Sequence, residues 1–122
     1  MIQNTLKFGR DNDLRISVRS SGHDMLGRST LKSSLQIDMQ KFQSIEFHDN
    51  FKVGRESLGS AVTVGTGVGL YTLGQAAKAV GKTAVLGTAA SVSPGGGWFQ
   101  AGGHGSMSTR FGLGADNVLG AS

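Results

Sequence analysis

The sequence predicts an α+β fold of short mixed strands with few helices, and three observations carry that expectation. Apolar and polar residues alternate over brief runs at 14–19 and 44–47, the two-residue period of a half-buried strand, and 60–64 is a β-branched run. Leu70, Leu73, Ala77 and Val80 keep the three-to-four spacing of a helix face, with Gly81 where a C-terminal cap belongs. Between residues 87 and 114 neither period holds, and glycine, serine and other small residues dominate.

Taken in order, residues 2–10 read as helical turns with Ile2 and Leu6 on one face, broken by Asp11-Asn12-Asp13. Leu14, Ile16 and Val18 alternate with Arg15, Ser17 and Arg19 in the first strand, which runs into the polar turn Ser20-Ser21-Gly22-His23-Asp24. A loop through Gly27-Arg28-Ser29 leads to a short strand at 35–38. A further strand at 44–47 points Ile45 and Phe47 inward, and His48-Asp49 reads as a polar surface turn. Strand 60–64 ends at Gly65, helix 70–80 follows, and 83–86 reads as another strand. A last strand is expected to start just before Gly120-Ala121-Ser122. No internal repeat and no linker divides the chain, so residues 1–122 are expected to be one unit, a partial domain.

The 122 residues include 38% apolar and 7% aromatic side chains, low for a self-sufficient core. Sixteen of the 20 glycines lie from residue 57 onward, whereas sixteen of the twenty Lys, Arg, Asp and Glu side chains lie before it. A solvated first half therefore precedes a nearly uncharged second half with unusual backbone freedom, as where backbone approaches a ligand or another surface closely. The formal net charge is +4, but the basic residues are scattered and form no nucleic-acid patch. Such a balance suits a ligand carrying phosphates. There are no cysteines, which excludes a disulfide framework and a thiolate metal site. No His or carboxylate pair shows metal-ligand spacing, so no metal is expected. No apolar stretch approaches the roughly 20 residues that span a bilayer, so no membrane partner is expected. Residues 1–8 carry no signal-peptide hydrophobic region, and the compartment is left open.

Three glycine-rich clusters concentrate the chemistry. In Ser20-Ser21-Gly22-His23-Asp24, small side chains after a strand let backbone N–H groups converge on an anion, with Arg19 and Arg28 bracketing the turn; an ordinary strand-to-loop turn reads the same way. Gly65-Thr66-Gly67-Val68-Gly69 sits between strand and helix like a dinucleotide crossover. Leu70 stands where the third glycine belongs and no acidic residue follows at ribose distance, which favours a tight turn into a helix. Gly81-Lys82-Thr83 fails as a phosphate loop because Ala76 occupies its first glycine. The third cluster runs from Gly95 to Gly105, eleven residues with six glycines, followed by Phe111-Gly112-Leu113-Gly114-Ala115-Asp116-Asn117-Val118-Leu119. Ordering it carries a large entropy cost, and Trp98, Phe99 and Phe111 do not belong in a flexible linker. A ligand or closely packed backbone is expected against it.

Together these segments resemble one family. Val18 through Asp24 with Gly27-Arg28-Ser29 resemble the pyrophosphate loop of the vanillyl-alcohol-oxidase type, or PCMH-type, FAD-binding domain. Leu35-Gln36-Ile37-Asp38-Met39 is similar to its next strand. Ala61 through Val68 and Gly95 through Leu119 resemble the remainder in order, with Leu26-Gly27-Arg28-Ser29-Thr30 similar to fungal members. The resemblance implies two α+β subdomains around FAD and a separate substrate domain that this chain lacks. It implies an FAD-linked oxidoreductase that oxidises a small organic, alcohol-like substrate with oxygen as acceptor.

Residue by residue, the resemblance implies FAD contacts from Arg19, Ser20, Ser21, Gly22, His23, Asp24, Gly27, Arg28 and Ser29. From the second half it implies Thr88, Ser91, Val92, Gly96, Gly97, Gly102, Gly103 and His104. His23 matches the histidine that carries the flavin 8α bond in many relatives, and a neutral imidazole is a competent nucleophile near neutral pH. Three departures stand out. Ala89 occupies the position of a second, cysteine attachment, so a double link is excluded. Ser93-Pro94 replaces a glycine-containing pair and removes a donor. Ser21 replaces a glycine, where a Cβ crowds the pyrophosphate if φ is positive. No residue is offered as catalytic acid or base, and the oligomeric state is left open. Two other readings are a truncated non-catalytic fragment with weak or no flavin binding, and a Rossmann-like nicotinamide-binding fragment.

Overall fold

The computed structural model describes residues 1–121. Helix α1 (Ile2–Asp11) is stopped where the sequence places its breaker: Asn12 leaves helical geometry and Asp13 takes a left-handed φ of 51°, a conformation Asn and Asp tolerate better than most residues. Strand β1 (Arg15–Arg19) follows and pairs in parallel with β2 (Ser34–Asp38), Val18 opposite Ile37. Alternation correctly marks β1 as half-buried, but the buried set is polar. Ser17 is 3% exposed and Val18 is 55% exposed. Ser17 tolerates burial because its hydroxyl accepts a hydrogen bond from Ser34 Oγ at 2.9 Å.

The next two strands form an antiparallel hairpin, β3 (Ile45–Val53) and β4 (Glu56–Val64), turning at Gly54-Arg55. It is much longer than the runs 44–47 and 60–64 that the pattern announces, because its outer half is mostly exposed and Asp49-Asn50 and Gly59 interrupt the apolar alternation. His48 and Asp49, expected in a surface turn, lie within β3. His48 stands opposite Ala61 with Nε2 2.9 Å from Thr63 Oγ1. Asp49 pairs with Lys82 Nζ at 2.6 Å.

Helix α2 (Leu70–Ala79) forms where the spacing predicts it, with Leu70, Leu73 and Ala77 buried. Its end is closed by Gly81, whose N–H donates to the Lys78 carbonyl at 3.1 Å while Lys82 N–H reaches Ala77 at 2.9 Å. With Ile37 and Val68 these three residues make the small apolar core. Residues 83–86, expected as a strand, make no ladder. Their neighbour is glycine-rich loop: a Cβ on Gly105 would lie 2.1 Å from the Leu86 carbonyl oxygen, a close approach of irregular backbone in place of a strand partner. The rest is an irregular helical turn at Pro94–Trp98 kinked at Gly96, helix α3 (Ser108–Phe111) and a single tight turn at Ala115–Asn117. Residues 118–121 do not start a strand, and Ser122 lies outside the described residues. No helix among the described residues is long and apolar enough to cross a membrane.

Candidate cofactor site

Strand β1 ends at Arg19 and delivers the turn that follows it against two loops distant in sequence. Ser20 Oγ donates to the Thr66 carbonyl at 2.5 Å, and Ser93 Oγ donates to the same oxygen at 2.5 Å. The first glycine cluster, and Ser93 just ahead of the third, therefore meet on one carbonyl of the second, between β4 and α2. Ser93, 1% exposed, also donates its N–H to Ser21 Oγ at 3.3 Å. Gly96 completes the junction, since a Cβ there would sit 2.6 Å from Ser20 Oγ. At the open side of the same junction His23 Nε2 lies 2.8 Å from Ser91 Oγ.

This turn leaves a run of backbone donors without backbone acceptors. The backbone N–H groups of Ser21, Gly22, His23 and Asp24 donate to no backbone carbonyl of the described residues. Gly22 supplies the bend at φ 83°, a region where a side chain is strained. Ser21 is not in that region, so the serine expected to crowd the turn introduces no backbone strain; its hydroxyl instead ties the turn to Ser93.

The two arginines expected to neutralise phosphate each hold a carboxylate of the chain. Arg19 Nη2 lies 2.6 Å from Asp38. Arg28 grips Asp24 through Nη2, through Nε at 2.8 Å and through its own backbone N–H at 2.6 Å. The Arg28 hydrogen bonds hold the Asp24 carboxyl below its ordinary 3.8, and Asp24 in turn raises the guanidinium. Gly27, Arg28 and Ser29 thus brace the turn from behind: Ser29 is buried, and its carbonyl accepts from the Gln36 amide at 2.9 Å.

The second wall contains a cleft of about 320 Å³ lined by Leu70, Thr88, Ala89, Val92, Trp98, Ala101, Gly103 and His104. Four of these, Thr88, Val92, Gly103 and His104, are expected from sequence. Trp98 organises the wall by donating its indole N–H to the His104 carbonyl at 3.1 Å. Gly103, at φ 77°, passes so close to Gly114 that a Cβ would lie 2.7 Å from its Cα. Gly102 flanks it, with a Cβ position 3.4 Å from the His104 ring, whereas Gly97 faces open space. Pro94 occupies the first position of its turn, where an N–H has no partner within the turn. Sequence reasoning missed the Thr66 carbonyl, the Ser93 hydroxyl, Leu70 and Trp98 as parts of the site. Flanking glycines were the available signal for Thr66.

The residues present fit a flavin dinucleotide: free N–H donors suit a pyrophosphate, and an adjoining apolar cleft suits a flat ring. Among the described residues no three His, Asp or Glu side chains gather to hold a metal ion. The nicotinamide alternative finds no support in the topology: β4 pairs antiparallel with β3, and among the described residues no strand follows α2.

Comparison with known proteins agrees with this geometry. A sequence model of the FAD binding domain family matches residues 1–122. The crystal structure of the VAO-type flavoprotein MtVAO615 from Myceliophthora thermophila matches with a TM-score of 0.91 at 37% identity, over 97% of this chain and 21% of that one. The chain belongs to the VAO-type FAD-binding domain family. This VAO-type domain is also 41% identical over 120 residues to the flavin-dependent oxygenase ucdF of Aspergillus ustus, covering 97% of this chain and 22% of that protein. MtVAO713, a second VAO-type flavoprotein of Myceliophthora thermophila, gives a TM-score of 0.88 at 31% identity, covering 97% of this chain and 22% of that one. The chain thus spans about a fifth of the length of these relatives. The same FAD binding domain match extends to an uncharacterized FAD-linked oxidoreductase of Arthroderma benhamiae, 42% identical over 122 residues and covering 97% of this chain and 21% of that protein.

Proposed function

We propose that this VAO-type domain holds FAD within an oxidoreductase that oxidises a small organic, alcohol-like substrate with oxygen as acceptor, and that His23 is its single covalent anchor. The observation that carries the reading is the meeting of the Ser20–Asp24 turn with the glycine wall, with the His23 imidazole exposed at their junction 2.8 Å from Ser91. Two similar proteins, a flavin-dependent oxygenase and a VAO-type flavoprotein oxidase, support oxygen as acceptor. When bound, FAD supplies two-electron chemistry that no side chain here can perform.

The chain's own work is to bind and orient. Free N–H groups from Ser21 to Asp24 receive the pyrophosphate, and Gly22 makes the bend that aims them. Leu70, Val92 and Trp98 exclude water from one side of a flat ring. Ala89 offers no thiol, so one covalent link forms and not two. No residue of this chain is proposed as catalytic acid or base.

Acid precipitation after loading with FAD tests the anchor. The wild-type pellet should stay yellow, and His23→Ala should leave only flavin that washes out. Acid-stable flavin persisting in His23→Ala would place the link elsewhere.

A further inference from the structure

We infer that Ser91 is the positioning residue for His23: its hydroxyl accepts the Nε2 hydrogen and leaves Nδ1 as the ring nitrogen with a free lone pair. This rests on the proposed anchoring role of His23. The two residues are 68 apart in sequence, yet Nε2 and Oγ are separated by 2.8 Å. Nδ1 makes no hydrogen bond within the described residues, and the Ser91 hydroxyl has no second partner there.

A neutral imidazole carries one N–H and one bare nitrogen, and a fixed hydrogen bond decides which is which. The adjacent carboxylate does not compete. Asp24 gives both oxygens to Arg28, one to the backbone N–H and the other to the guanidinium, so its carboxylate does not claim Nδ1. Donation from Nε2 to Ser91 is the arrangement that turns a bare nitrogen outward. The reverse arrangement engages the ring's one lone pair on Ser91 and leaves Nδ1–H without an acceptor in the chain. Ser91 also belongs to the opposite wall, so the contact sets the ring relative to both halves of the site.

Linkage through Nδ1 forms one N–C bond and breaks one C–H bond of the flavin 8α-methyl. The two electrons released reduce the flavin ring itself. One proton leaves from the methyl and one from Nε2, the latter beside Ser91.

Three measurements on the chain test the assignment. Histidine ¹⁵N NMR without FAD should show His23 as the Nε2–H tautomer in the wild type and in Ser91→Thr, and as a mixture in Ser91→Ala. With FAD added, acid-stable flavin should accumulate about tenfold more slowly in Ser91→Ala, the cost of one lost hydrogen bond. Ser91→Thr should restore the rate, and the flavin peptide released by proteolysis should be joined through Nδ1. A link at Nε2, or an unchanged tautomer and rate in Ser91→Ala, overturns the role of Ser91. Failure of the His23 anchor has a different signature, namely the Nε2–H tautomer in place with no acid-stable flavin formed.

Discussion

Asp24 illustrates how the site is built at the scale of single residues. The hydrogen bonds from the Arg28 side chain and backbone hold its carboxyl below the ordinary 3.8. Asp38 is held down by the Gln40 N–H and by Arg19, and Asp49 by Lys82. A carboxyl depressed in the folded state stabilises the fold above its unfolded value, and that contribution is lost as pH falls through the folded value. The melting temperature should therefore hold steady from neutral pH down to the ordinary carboxylate range and decline below it. Arg28→Ala, by freeing Asp24, should flatten that acid limb in a pH series of thermal melts; an unaltered limb would mean that the clamp does not form in solution. Arg19 and Arg28 were visible in the sequence as cations beside a turn. The partner of Arg19 was not, because its ion pair with Asp38, 19 residues on, is decided by strand register and not by local pattern.

At the scale of elements, legibility followed the periodicity of burial. Helix α2 was readable because Leu70, Leu73 and Ala77 bury one stripe, and α1 because Asp11-Asn12-Asp13 stops it. The hairpin β3–β4 was readable only at its base, since its outer half is mostly exposed. Strand β1 was readable as a strand, but its buried face was not, because Ser17 finds a serine partner on β2. Residues 83–86 have strand composition and no ladder, for their neighbour is Gly105. The glycine wall itself divides into positions that hold the fold and positions that are open to a ligand. Gly103→Ala combines a left-handed φ with a Cβ 2.7 Å from Gly114 and should cost about 1–3 kcal/mol in urea unfolding. Gly97→Ala meets nothing within 4 Å. It should change stability by less than about 0.5 kcal/mol while weakening FAD binding in a fluorescence titration. Equal stability losses in the two variants would contradict this division.

For the whole molecule, the order of the three glycine clusters along the chain was legible as a family pattern, and the family assignment follows from it. What the pattern could not show is that Ser20 of the first cluster, and Ser93 just ahead of the third, both close on the Thr66 carbonyl of the second. That convergence is a property of the folded chain, and it brings the Ser20–Asp24 turn, with His23, against the Ser91–Ser93 segment beside the apolar cleft. The core is small: Ile37, Val68, Leu70, Leu73 and Ala77. Large apolar side chains such as Leu26 and Tyr71 remain 80% and 62% exposed, in a chain that spans about a fifth of the relatives it matches. Binding of FAD to this chain is the claim on which the rest depends, and titration of the folded protein with FAD, followed by absorption and flavin fluorescence, tests it directly. Saturable quenching with a resolved visible flavin spectrum is the predicted result. A chain that is folded by circular dichroism and leaves the flavin spectrum and fluorescence unchanged would contradict it.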